Sequence, residues 1–269
     1  MMKLWNMSLL FYNQNTNNMR KIFITYIDYP PGHNATIIYN AHTKPRFLEY
    51  CKIHGFEFVE ITTNLAHPYN LGFAKLFYIR DIINTLNDGD VITYMDVDCC
   101  IMDSRKAPIF EKDFAIVQES TGCLCMGGTW SLRVSDWSKR FIKEICSDEI
   151  QAKNKHLPTW KVWHENDAVY HVIGLEWATP LSEMGKRNTT IFTIDEINEH
   201  VQILPTEWGM TFCAEDTALD YSYYYSYNVI SQYERTDINC TFDTCIVRHL
   251  SAGTMYENWA NRYFNTPMK

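Results

Sequence analysis

The sequence lacks a basic excess. Its 24 Lys and Arg face 32 Asp and Glu, for a net charge of −8. A general polyanion binder needs a basic footprint, so nucleic acid is disfavoured as a partner, with a local basic groove the one route left to it. No P-loop pattern, GxxxxGK[ST], occurs, so a phosphate ligand must find its counter-charge elsewhere. Long apolar runs are missing too. The nearest, Leu4 to Tyr12, is broken by Asn6 and is far shorter than the ~20 residues of a membrane span; no small-residue cleavage site follows it. There is no CxxC pair among the nine cysteines, and their number is odd, which argues against structural zinc and for buried thiols in a reducing compartment. A cytoplasmic location follows as the expectation. A secretory lumen, to which the four N-x-S/T sequons at Asn6, Asn34, Asn188 and Asn239 would be suited, would need an anchor outside this chain. Internal repeats and low-complexity linkers are absent as well.

What is present fits an ordinary globular protein: 269 residues, 46% hydrophobic, 21% charged. Residues 1–19 read as a loose leader, with Met19 a plausible start, and 20–269 as one domain. KIFITYID (21–28), GFEFVEI (55–61), VITYMDVD (91–98) and FAIVQES (114–120) read as strands. Helices are expected over 42–54, with Gly55 at its C-cap, and over 72–87. This alternation predicts an α/β fold with a mixed, mainly parallel sheet. Further on, 123–135 reads as a bent strand with a glycine pair, 136–146 and 164–175 as helices, and VQILP (201–205) and TCIVRHL (244–250) as short strands. Residues 176–200 and 206–240 read as turn-rich, the latter holding the tyrosine cluster YSYYYSY (221–227).

The stretch that asks for chemistry is YMDVDCCIM (94–102). It sends an apolar run inward and ends it with Asp96 and Asp98. Unpaired buried charge is costly, so either both carboxylates are solvated caps of the next turn or a cation meets them. Alternation along a strand would aim both the same way, with Val97 turned into the core. In parallel sheets, ligands bind beyond the carboxyl ends of strands. Two acids so placed suit a hard divalent ion with sites open for phosphate oxygens.

Four segments carry a resemblance. GDVITYMDVDCCIM resembles the DxD strand of GT-A fold glycosyltransferases, the Rossmann-like nucleotide-diphospho-sugar transferases. GGTWSLRVSDWSKRF (127–141) resembles the N-S-G-S-F-L-L-R-N-S-x-W segment of fungal and plant galactosyl- and xylosyltransferases. HENDAVYHVIG (164–174) is similar to the D-Q-D-x-L-N helix start of glycogenin-like retaining galactosyltransferases, and VRHLSAGTMYENW (247–259) to their C-terminal H-F-x-G-x-K-P-W segment. The segments follow the family order over most of 21–260.

The resemblance implies a metal-dependent transferase that moves a sugar, with retention, from a nucleoside diphosphate, UDP by preference, to an acceptor hydroxyl. It implies that Asp96, Asp98 and His249 hold Mn2+ or Mg2+, a donor set that suits these ions. Lys75, on the family's W-x-K helix, is implied to meet a phosphate or the first aspartate; a solvated helix face is the alternative. Gly127 and Gly128 would let the backbone approach a sugar or phosphate, or else mark a β-bulge, and Thr129 would bond donor hydroxyls. Glu165 and Asn166 fall on the D-Q pair that faces the anomeric carbon, with Asp167 one register away; helix N-capping explains them equally. Thr25 and Tyr26 end the first strand, where the base sits. Two departures stand out: Glu and Asn in place of Asp and Gln, and Thr254-Met255-Tyr256 where a Lys-Pro pair is usual. The expected acceptor is a glycan, less readily a hydroxylated DNA base, with Trp160, Trp163, Trp177, Trp208 and the tyrosine cluster as candidate walls. A nucleotidyltransferase and an inactive nucleotide-sugar-binding module are the rivals; Tyr29-Pro30-Pro31-Gly32-His33 poorly fits the glycine-rich basic loop the former needs.

Overall fold

The computed structural model describes residues 19–63, 71–107, 111–118, 124–150, 165–174, 191–209, 244–249 and 266–269. The leader up to 18, the tyrosine cluster, Trp160, Trp163, Trp177 and residues 250–265 lie outside the described residues.

Strand β1 (Lys21–Tyr26) runs at the middle of one half of a six-stranded sheet. Its four inner residues are all buried, as an apolar run of β-branched and aromatic side chains demands. A short helix α1 (Asn34–Ile38) and a π-helical turn lead into α2 (Lys44–His54). That helix stops at Gly55, whose φ of 70° lies in the left-handed region; its N–H bonds the Cys51 carbonyl. Strand β2 (Glu57–Ile61) follows parallel to β1. Helix α3 (Ala74–Ile83) then delivers the chain to β3 (Val91–Met95), also parallel to β1 and buried throughout. The helix ends earlier than the Asn87–Gly89 stop the sequence suggests, because residues 84–89 form a turn held by Asp90. Its carboxylate accepts the amides of Asn87 at 2.9 Å and Arg20 at 2.7 Å.

β4 (Cys99–Ile101), β5 (Phe114–Gln118), β6 (Leu124–Arg133), α4 (Asp136–Ile145), α5 (Glu165–Val172), α6 (Ile194–His200), β7 (Val201–Leu204) and β8 (Val247–His249) complete the described elements. The main sheet has the order β2-β1-β3-β6-β5-β7, and β4 pairs with β8 in a second, two-stranded sheet. The main sheet is mixed and mostly parallel. β6 lies antiparallel between β3 and β5, while β1–β2, β1–β3 and β5–β7 are parallel. The turn-rich reading of 176–200 is corrected at its end. Thr193 and Glu196 form a capping box that starts α6, a T-x-x-E signature visible in the sequence.

Two apolar layers flank the sheet. On one face α3, α4, α5 and α6 pack around Ile24, Tyr94, Trp130 and Phe141. On the other, α2 and the β4–β8 ribbon pack around Phe23, Phe47, Met95 and Val97. Cys51, Cys99, Cys100, Cys146 and Cys245 are buried thiols, and burial pushes those of Cys51 and Cys146 up to about 12, so both are inert at neutral pH. No helix among the described residues is long and apolar enough to cross a membrane.

Candidate functional site

β1, β2 and β3 point their carboxyl ends to one edge of the sheet, where open α/β sheets take ligands. β3 stops at Met95. Asp96, Val97 and Asp98 then form a turn into β4, closed by the Cys99 N–H on the Asp96 carbonyl at 2.9 Å. Val97 is buried in the α2-side layer, as the sequence reading expects. The turn is braced from β6. Asp96 N–H donates to the Gly128 carbonyl at 3.0 Å, and the Cys99 thiol donates to the same oxygen at 2.9 Å. Gly127, Gly128 and Thr129 therefore lie beside the acidic turn, with Thr129 buried opposite Met95. They also lie in a bulge. The β5–β6 register passes from Ile116↔Trp130 to Val117↔Cys125, leaving 126–129 of β6 unmatched on β5. The bulge reading of the glycine pair is the one this register shift supports.

Lys75 is the centre of the site. It projects from the first turn of α3 and is 2% exposed. Its ammonium lies 2.9 Å from Glu165 Oε1 and 3.4 Å from Asp96 Oδ1, and 4.4 Å from the centroid of the Tyr94 ring. The Tyr94 phenol donates to Asp96 Oδ1. Burial alone would lower the Lys75 pKa; the Asp96 and Glu165 carboxylates outweigh it and raise it above the usual lysine range. Burial, then Asp96, drives the Tyr94 phenol well up, so it stays a neutral donor. One cation between two carboxylates leaves a net negative centre, and Asp98 next to it adds another acid.

Glu165 opens α5, with Asn166 and Asp167 after it. Glu165 is buried and pairs with Lys75. Asn166 Oδ1 is buried with no hydrogen-bond partner among the described residues. Arg80, by contrast, is partly exposed, pairs with Asp81 and lies over the Phe77 ring, away from this centre.

Thr25 and Tyr26 part company. Thr25 is fully buried and its Oγ1 lacks a partner among the described residues. Tyr26 packs on the α3-side layer, and its phenol donates to Asp28 Oδ2 at 3.3 Å. Past the ends of β1 and β2 lies a cavity of about 180 Å³ whose walls include Asp28, Tyr29, Tyr39, Asn40 and Glu60. Tyr29 stacks on His33 with centroids 4.6 Å apart, and Glu60 is held by the Tyr39 phenol at 2.5 Å and Lys44 at 2.8 Å. Sequence reasoning missed Asp28 and Glu60. The only signal was their place at or just after the ends of two buried strands.

The β4–β8 register sets His249 opposite Cys99, the residue after Asp98. The His249 side chain lies outside the described residues, and among those described no three His, Cys, Asp or Glu side chains gather to hold a metal ion. On the backbone evidence His249 lies in the strand beside the turn that carries Asp96 and Asp98. Two carboxylates and an imidazole suit Mn2+ or Mg2+.

No family model and no curated protein matches the chain. Solved structures do. A glycosyltransferase involved in the glycosylation of the major capsid of PBCV-1 superposes with a TM-score of 0.53 at 13% identity, over 91% of this chain and 98% of that one. GlyE of Streptococcus pneumoniae TIGR4 gives 0.47 at 10% identity, over 93% of this chain and 61% of its own. The galactosyltransferase LgtC, in complex with donor and acceptor sugar analogs, gives 0.45 at 9% identity, over 91% and 97%. The first of these carries the conclusion, which concerns architecture.

Proposed function

The chain has the GT-A fold of glycosyltransferases, and from that premise we propose that residues 20–269 form one metal-dependent glycosyltransferase domain. It would move a sugar from a nucleoside diphosphate, UDP by preference, to an acceptor hydroxyl, with retention. The observation that carries this reading is Lys75 buried between Asp96 and Glu165 at the carboxyl edge of such a sheet. Well-packed apolar residues often stabilise as much as a buried ion network of this kind, which makes its place at the carboxyl edge the better reason for it.

Asp96, Asp98 and His249 are the residues that would hold Mn2+ or Mg2+. When bound, the ion would neutralise charge gathering on the diphosphate as the glycosidic bond breaks. Lys75 pairs with the Asp96 carboxylate and orients it, and adds positive charge close to the leaving group. Glu165, held by the same lysine, supplies a carboxylate suited to an oxocarbenium-like transition state, with Asn166 and Asp167 beside it on the same helix start. The cavity past β1 and β2 suits the nucleobase: Asp28 and Glu60 can accept base N–H groups, and Tyr29 offers an aromatic face. Thr25 and Tyr26 end β1 just before the chain enters that wall. Gly127, Gly128 and Thr129 line the approach from β6. The acceptor we favour is a glycan, since the net charge of −8 disfavours nucleic acid. Buried thiols support a reducing compartment.

The test is a screen of nucleotide sugars with Mn2+ for release of free nucleoside diphosphate, with Asp98→Asn as control. Turnover that the control loses supports the reading. Affinity without turnover means a binding module, and pyrophosphate released from a nucleoside triphosphate means a nucleotidyltransferase.

A further inference from the structure

We infer that Gly72 is a positioning residue for Glu165, and that the two form a matched pair. A glutamate can serve at position 165 only because position 72 has no Cβ. The inference rests on the functional reading above.

A Cβ built on Gly72 would stand 2.0 Å from Glu165 Oε2, 2.6 Å from Cδ and 3.2 Å from Oε1. The backbone of Gly72 is not in the left-handed region, so what the glycine supplies here is space. A carboxylate at the end of a flexible side chain can ordinarily swing away from such a clash. Glu165 cannot do so cheaply. Its Oε1 is tied to Lys75 at 2.9 Å, and its side chain is 10% exposed, so moving it would break a buried ion pair without the gain of solvation. Gly72 and Lys75 also belong to one continuous segment, the single turn Leu71–Phe73 running into α3. At a spacing of three residues they face the same way. Glu165 lies along that face, touching the bare backbone at one end and the ammonium at the other.

This accounts for a departure seen in the sequence. The resembling families carry Asp where this chain has Glu165. An aspartate is shorter by one methylene and would leave room for a side chain at 72; the longer acid requires that room for itself. Gly72 touches no reacting atom. It acts through Glu165, and through Glu165 on how Lys75 divides its charge between two acids.

The experiment is a four-protein cycle: wild type, Gly72→Ala, Glu165→Asp and the double variant. Gly72→Ala is expected to lower kcat about 10²-fold while donor KM stays within about twofold, since a misplaced group beside the reaction costs turnover more than binding. The double variant is expected to regain at least about tenfold over Gly72→Ala alone, a recovery that only coupled neighbours give. Denaturant midpoints of the same four proteins should show the same non-additivity. Should Gly72→Ala fail to fold, folding of the double variant is itself the rescue, and failure of both overturns the pair. Additive midpoints, a Gly72→Ala kcat within about twofold of wild type, or a double variant no better than the product of the singles also overturns it. A coupled midpoint without recovered kcat reduces the contact to packing and overturns the positioning role. A wild-type protein inert toward every nucleotide sugar sinks the functional reading instead, and the midpoint cycle still decides whether 72 and 165 are matched.

Discussion

The two edges of the main sheet use acidic side chains in opposite ways. At the amino edge, acids close turns. Asp90 takes two backbone amides, and Asp113 receives the Ser135 hydroxyl at 2.9 Å and the His200 ring at 2.7 Å, tying the starts of β5 and β7 to the cap of α4. Each of these bonds satisfies a group that folding would otherwise leave bare. At the carboxyl edge, Asp96 and Glu165 converge on a buried lysine that the backbone does not need. The first arrangement is what a sheet requires to end cleanly. The second concentrates charge where the fold gains nothing obvious from it, and that difference marks the carboxyl edge as the working end.

Substitutions that separate the two edges test this contrast. The largest effect on turnover is expected at Asp98→Asn, a loss of about 10³-fold or more, with stability changed by less than ~1 kcal/mol, because on the proposed function the change removes charge that would serve transition-state stabilisation; an active Asp98→Asn protein breaks the comparison outright. Lys75→Met should cost both. Two carboxylates left without their cation predict a stability loss of ~3–5 kcal/mol by denaturant unfolding, together with lost turnover. Asp90→Ala should do the reverse of Asp98→Asn, costing ~1–3 kcal/mol for two stranded amides while kcat holds. A fall in kcat with unchanged stability there would erase the distinction between edges. Smallest is Arg140→Ala, which removes a half-exposed pair with Glu196 and should shift stability by ~0.5 kcal/mol or less.

Acidity sharpens the contrast further. The Lys75 pKa is raised above its reference of 10.5. A group raised on folding stabilises fully below its unfolded value and loses that contribution as pH climbs through the folded one. The Lys75 network should therefore contribute a constant amount through neutral pH and decline only above about pH 10. Wild type and Lys75→Met unfolding curves should stay a fixed distance apart from pH 6 to 9 and converge at higher pH.

Much of this edge was legible in the sequence, for reasons that are local. VITYM had to be a buried strand, Gly55 had to end a helix, and Asp96 and Asp98 had to sit where β3 ran out. The alignment of Gly127–Thr129 with that turn followed from the resemblance. What could not be read was non-local. The insertion of β6 antiparallel between β3 and β5 depends on pairings that no periodicity announces. Lys75 in a helix of mixed pattern looked as much like a solvated face as a buried centre. Asp28 and Glu60 went unnoticed, because an acid beside a cavity leaves the same trace in a sequence as any other surface acid. Gly72 was simply the first residue of an expected helix until Glu165, far along the chain, filled its empty side.

The pairing of β4 with β8 carries a consequence for assembly. Every strand of the main sheet lies within residues 21–204, whereas β4 gains its partner only from 247–249, and Arg46 bridges the Ile101 carbonyl at 2.7 Å to the Thr266 carbonyl at 2.5 Å. During synthesis the scaffold can therefore close while the aspartate loop still lacks its outer support. The turn after β3 would gain its outer support in a late, long-range docking event rather than with the collapse of the core.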